Sequence, residues 1–264
     1  MPLPPNLSRF SWSVVVLLVW SLGLSALAFA GNNSEPSPKE ATKPGQTPSA
    51  PLQIGSIRCG RVLYLGNSIT LHGPAPQIGW TGNWGMAATS QANDYVHLLT
   101  AKIADAAKGE PKVMVKNIAD FERNLDQYDI AESLKAELAF KPELVILAIG
   151  ENAAPLKDAA ARERFRKAVD SLLKALTEQD RPTILVRSCF WADPAKDAEL
   201  KGAATLAGAT FVDIHELGGD PSMAARSERK IEHDGVAGHP GDKGMKAIAD
   251  AIWKAIETAA KSTP

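Results

Sequence analysis

Arg61-Val62-Leu63-Tyr64-Leu65-Gly66-Asn67-Ser68-Ile69-Thr70 reads as one short strand running straight into a turn. Apolar side chains at 62, 63 and 65 suit a strand covered on both faces. Gly66 allows a bend that a Cβ would resist. Ser68 then lies just past the carboxyl end of the strand, where open α/β sheets bind their ligands. A serine there is a nucleophile candidate if the chain brings a base to it. Taken alone, a serine after a strand is most often a helix cap.

Downstream of this strand, strand and helix signals alternate. A long loop rich in Gly and Trp spans 67–90, and a helix follows at 91–107 with Val96, Leu99 and Ile103 on one face. KVMVK at 112–116 is a short strand, and residues 125–140 carry helical spacing until Pro142. LVILAI at 144–149 is the most hydrophobic strand of the chain. An amphipathic helix over 158–179 precedes a strand at 183–187 and a helix at 194–207 closed by Gly208. A fifth strand at 210–214, a polar loop at 215–240 and a helix at 242–260 complete the order. Such alternation predicts right-handed βαβ units, hence a three-layer α/β/α sandwich around a flavodoxin-like, parallel five-stranded sheet.

Residues 1–30 read as an export signal: Arg9, an apolar run at 14–27, and an Ala28-Phe29-Ala30 cleavage pattern. The alternative is an uncleaved membrane anchor formed by residues 13–30. Residues 31–55 are a Pro- and Ser-rich linker with too little apolar surface to order. Residues 56–262, roughly 210 in number, suffice for one domain with a sizeable core. The expected location is secreted or periplasmic. With a net charge of −1 and no basic block, nothing in the sequence suggests a nucleic-acid partner, and none is expected. Cys59 precedes the first strand and Cys189 follows the fourth, at opposite ends of a parallel sheet, so two free thiols are expected.

Four groups should meet at the carboxyl edge of the sheet: Ser68; Asn117-Ile118-Ala119-Asp120; Gly150-Glu151-Asn152; and the loop His233-Asp234-Gly235-Val236-Ala237-Gly238-His239-Pro240. Their order resembles the SGNH (GDSL-type) hydrolase superfamily. Gly66-Asn67-Ser68-Ile69-Thr70 is similar to its Gly-Asp-Ser-Ile-Thr block, Gly150-Glu151-Asn152 to its Gly-x-Asn block, and His239-Pro240 to the end of its Asp-x-x-His-Pro block. The resemblance covers nearly all of residues 61–260 and implies a serine ester hydrolase. In it Ser68 is the nucleophile, His239 the base and Asp234 the acid partner. The Ser68 and Ala119 N–H groups and the Asn152 amide would form the oxyanion hole. It implies a small-molecule or carbohydrate ester substrate, with membrane association only if the N-terminal segment stays uncleaved. No metal or cofactor is called for, since His72, His97 and His215 lack metal-ligand spacing.

Three departures from the family pattern stand out. Asn67 replaces an aspartate that is structural in the family. Ala119 stands where glycine is usual. Asp234 precedes His239 by five positions instead of three, so either Asp234 still reaches the imidazole or a backbone carbonyl takes its place. In the first loop, Trp80 and Trp84 offer a stacking face for a sugar ring or fill the loop's own small core. Trp191 is a third candidate for the substrate rim. Arg187 reads first as a structural ion-pair partner. Short acyl esters, with O-acetyl groups on carbohydrate foremost, are the expected substrates; a broad lipase or thioesterase and an inactive carbohydrate-binding member of the fold are the competing expectations.

Overall fold

The computed structural model describes residues 51–178 and 180–261. The export segment and residues 31–50 of the linker lie outside the described residues. Residues 53–54, expected in the linker, form strand β1 (Gln53–Ile54) and pair antiparallel with β2 (Ile57–Arg58). Described secondary structure therefore begins before residue 56.

The main sheet contains β3 (Arg61–Gly66), β4 (Lys112–Asn117), β5 (Leu144–Ala148), β6 (Thr183–Arg187) and β7 (Thr210–Val212). All pairings are parallel, in the spatial order β4-β3-β5-β6-β7. This is the flavodoxin-like order, whose switch point lies where the chain leaves β3 to build first on one side and then on the other. Every residue of β5 is buried, as its uninterrupted apolar run requires of the central strand. Burying each Leu or Ile fully contributes about 1.5–3 kcal/mol.

Side-chain alternation along β3 divides the core. Val62 and Tyr64 face helices α1 (Tyr95–Ala107) and α8 (Asp242–Lys261). Leu63 and Leu65 face α5 (Ala159–Thr177) and α6 (Pro194–Ala207). Local chemistry sets the helix ends. Asp94, Asp158 and Asp193 each accept a backbone N–H of the first turn of α1, α5 and α6. Gly208 closes α6 at φ 69°. Cys59 and Cys189 are buried free thiols. Among the described residues no helix is long and apolar enough to cross a membrane.

Two expected elements differ. The helix expected over 125–140 is instead two short pieces, α3 (Ile130–Ser133) and α4 (Lys135–Ala139), and a further short helix, α2 (Ala119–Arg123), precedes them. Asp129 caps a fresh start at Ile130, and Lys116 Nζ takes the Ser133 carbonyl at 2.6 Å where a continuous helix would use it internally. The loop expected at 215–240 contains a helical turn, α7 (Asp234–Gly238).

Candidate active site

Register brings the site together. Gly66 pairs with Asn117 on one side and with Ala148 on the other, so the carboxyl ends of β4, β3 and β5 lie level. The segments that follow them carry Ser68, Ala119 and Asn152 into one cavity of about 460 Å³. Gly66 is required here for close approach: a Cβ would overlap the Thr70 hydroxyl and sit 2.8 Å from the Ala148 carbonyl of β5.

His239 reaches this cavity from the turn between α7 and α8. Its Nε2 is 2.8 Å from Ser68 Oγ, and its Nδ1 is 2.7 Å from the Gly235 carbonyl. A carbonyl can only accept, so Nδ1 carries the proton and Nε2 is left as an acceptor for the Ser68 hydroxyl. Burial lowers the imidazole pKa below its ordinary 6.5, against the Gly235 hydrogen bond, which raises it. The Trp191 ring packs edge-to-face on the imidazole, centroids 5.2 Å apart.

Asp234 is not the partner of His239. The side chain of His233 caps α7, its Nδ1 accepting from Val236 N at 3.3 Å, and Asp234 becomes the exposed first residue of the turn. One helical turn then presents the carbonyl four residues before His239, that of Gly235, to the ring. The five-residue spacing thus selects a backbone acceptor. Asp234→Asn is expected to change kcat/KM by less than about tenfold on an activated acetyl ester, where loss of a true triad aspartate costs about 10⁴.

Behind Ser68 lies a buried polar cluster. Asn67, with no exposed surface, donates one Nδ2 hydrogen to Glu122 Oε1 at 3.0 Å and the other to Glu151 Oε2 at 2.7 Å, while its Oδ1 accepts from Ile69 N. Glu122 Oε2 accepts from Gly150 N at 3.1 Å and Asn152 N at 2.6 Å. Glu151 Oε1 accepts from Arg187 Nη1 at 2.6 Å and Phe190 N at 2.9 Å. Burial, reinforced by the Glu151 charge, raises the Glu122 pKa from 4.5 to about 7. Burial also opposes the Glu151 charge, but Arg187 outweighs it and holds that carboxyl below the ordinary range. Arg187 is therefore structural. Asn67 is more than a tolerated exchange: its amide donates to both carboxylates at once, where an ionised aspartate could only accept.

The three groups expected as oxyanion donors are unequal. The Ser68 N–H makes no hydrogen bond within the described residues. The Ala119 N–H, expected as a donor, already donates to Asn117 Oδ1 at 2.9 Å, because Asn117-Ile118-Ala119 closes an Asx turn. Asn152 lines the cavity with its amide held by neighbours on α2. His72, His233, Asp120 and Arg123 supply the polar wall; Asp120 and His233 belong to segments expected at this edge, whereas the sequence alone does not place His72 and Arg123 there. Trp80 and Trp84 are absent from the lining. Their rings pack edge-to-face at 5.6 Å and their indole N–H groups donate to His72 O and Ala88 O. With Ala75, Met86, Ala225 and Val236 they form a small core under the loop and α7, so they do not serve as a sugar platform. Trp191 is likewise absent from the lining, but it is 39% exposed and is the one tryptophan of the three whose ring packs on His239. Among the described residues no three His, Cys, Asp or Glu side chains converge as metal ligands would.

The chain matches no protein-family model and no curated protein. Solved structures are similar. A protein assigned as a GDSL-like lipase from Parabacteroides merdae superposes with a TM-score of 0.52 at 17% identity, over 79% of this chain and 99% of that one. One assigned likewise from Bacteroides ovatus gives 0.49 at 15%, over 75% and 98%. The acetyl xylan esterase AlAXEase gives 0.47 at 16%, over 74% and 98%. Strand order, the level carboxyl ends of β4, β3 and β5, and the first of these superpositions give the chain the fold of the SGNH (GDSL-type) hydrolases.

Proposed function

We propose that this protein is an exported serine esterase that hydrolyses short acyl esters, with O-acetyl groups on carbohydrate as the first class to test. The observation that carries the reading is the 2.8 Å contact between Ser68 Oγ and His239 Nε2, with the imidazole tautomer set by Gly235. In the proposed reaction Ser68 Oγ attacks the acyl carbon while its proton passes to Nε2. The tetrahedral oxyanion is met by the Ser68 N–H and the Asn152 amide. Collapse breaks the ester C–O bond, and His239 returns the proton to the leaving alcohol. Water then attacks the acyl-serine, gives a proton to Nε2, and the proton returns to Ser68 as the acid leaves.

The polar cavity wall and exposed Trp191 support a hydroxylated leaving group. The Ala119 N–H, spent on Asn117, favours one competitor: a carbohydrate-binding module that kept the fold without turnover. A fluorophosphonate probe separates the two. It should label the wild type and leave Ser68→Ala unlabelled; no labelling of the wild type, with sugar binding retained, sinks the esterase. Across p-nitrophenyl esters the rate should peak at about two to four carbons, as a small polar cavity demands. An optimum at roughly eight or more would make the enzyme a lipase or thioesterase, its longer chain repaid by apolar burial.

A further inference from the structure

Asn152 has a side chain whose two ends differ in chemistry and not in shape, so its orientation must be imposed from outside. Consecutive residues of α2 impose it. Arg123 Nη2 donates to Asn152 Oδ1 at 2.9 Å. Glu122 Oε2 lies 3.4 Å from Asn152 Nδ2 and also accepts the Asn152 backbone N–H. In the flipped orientation the amide oxygen would face a carboxylate and the amide nitrogen a guanidinium, so both contacts would turn repulsive. Arg123 is held in turn by Asp120, Nη1 to Oδ1 at 3.3 Å. One Nδ2 hydrogen is taken by Glu122; the other has no partner within the described residues, and Asn152 lines the cavity shared by Ser68 and His239.

Resting on the serine-esterase reading, we propose that Arg123 is a positioning residue for the reaction: it locks the Asn152 amide with Nδ2 toward the oxyanion. The need is greater here than in a site with three free donors, because the Ala119 N–H is already bonded to Asn117. Arg123 also strengthens the donor it positions. A charged N–H on Oδ1 draws electron density from the amide and makes the Nδ2 hydrogens better donors in sequence. Its action is on the transition state, where the oxyanion forms, and so on kcat more than on KM.

The test is a double-mutant cycle on p-nitrophenyl acetate, with Ser68→Ala measured beside it. Arg123→Ala should lower kcat about 10- to 100-fold with KM within about twofold, less than the roughly 10²–10³ that loss of an oxyanion donor costs. Arg123→Lys, which keeps one charged donor, should recover part of that loss. In an Asn152→Ala background Arg123→Ala should cost less than about twofold, because the group it acts through is gone. Equal losses in both backgrounds, or a loss confined to KM, would show that Arg123 contacts substrate directly and would overturn the proposal. An unchanged kcat in Arg123→Ala would do the same. If Ser68→Ala keeps its activity, the esterase reading has failed first, and that outcome is distinct from either. Arg123 is exposed, so the variants should unfold within a few degrees of the wild type; thermal unfolding checks this.

Discussion

His239→Ala should reduce kcat on short acyl esters by a factor on the order of 10⁵–10⁶, the scale seen when a serine hydrolase loses its base. The size follows from the geometry. Among the described residues Nε2 is the one side-chain acceptor within hydrogen-bonding distance of the Ser68 hydroxyl, and a serine without a base is a weak nucleophile at neutral pH. The same site fixes the pH profile. The imidazole must be neutral to accept the proton. Burial depresses its pKa below 6.5, and Nδ1 meets a carbonyl where a carboxylate would oppose the shift, so the neutral form persists into acid solution. The acid limb of kcat/KM should therefore fall below pH 6.5, the ordinary imidazole value, whereas a bound aspartate would push it upward. The measurements are initial rates on p-nitrophenyl acetate for both proteins and a wild-type profile from about pH 4 to about pH 9, spanning the imidazole range. A variant retaining more than about a hundredth of the rate, or a limb above about pH 7, would remove His239 from the role of base.

The dyad has a cost that the surroundings partly offset. A carbonyl carries a partial charge and stabilises the imidazolium less than a carboxylate does. What Gly235 supplies is orientation: it sets the tautomer, and Trp191, edge-on to the ring, restrains its rotation. The tryptophan loop contributes from below, since Trp80 packs in one small core with Val236, the residue next to Gly235. On the proposed serine-esterase reading, the aromatic residues of that loop act through the base, at one remove from the substrate.

What was legible in the chain were features repeated over many residues. An amphipathic pattern along α5, and a Gly208 stop on α6, announced those helices nearly to the residue. The level ends of β3, β4 and β5 followed from the βαβ pattern, and with them the meeting of Ser68 and Asn152. What stayed hidden were single-turn devices. Five residues of α7 are too few to show a helical period of about 3.6 residues, yet that turn decides whether His239 meets Asp234 or Gly235. Glu122 was equally silent. A glutamate on a short polar helix reads as solvated until the fold buries it to 1% exposure against Asn67 and the Gly150 loop. The tryptophans flanked by glycine fit a platform or a core equally well, because composition does not say which way a ring turns.

Asn67→Asp, which would restore the aspartate usual in the family, should cripple this protein. The exchange removes two N–H donors and places a third carboxylate beside Glu122 and Glu151, with Arg187 the one guanidinium bonded to either acid among the described residues. An uncompensated buried charge costs about 3–5 kcal/mol, a large part of a domain's stability. Glu122, already raised to about 7 by burial and Glu151, shows that the cluster holds no room for more negative charge. The sign of the pH dependence follows. In the folded state the introduced carboxyl would have a pKa above its unfolded value of about 3.9, so the folded variant keeps a proton that the unfolded chain loses as pH rises. The variant should lie close to the wild type near pH ~4 and fall progressively below it toward pH ~8, as that proton is forced off. Activity should fall with stability, because Glu122 also holds the Gly150 and Asn152 N–H groups. A compensating exchange sharpens the test. In the double variant Asn67→Asp/Glu122→Gln, the new amide nitrogen at position 122 can donate to the new carboxylate at position 67, while the amide oxygen keeps both backbone N–H groups. Charge then returns to its original count, and part of the stability should return with it. Only part, because Glu151 has still lost the 2.7 Å donor it had in Asn67. Thermal unfolding of the wild type, both single variants and the double variant at about pH 5 and about pH 8 reads the whole scheme. An Asn67→Asp variant as stable as the wild type at the higher pH would show that the amide is not matched to its two acids.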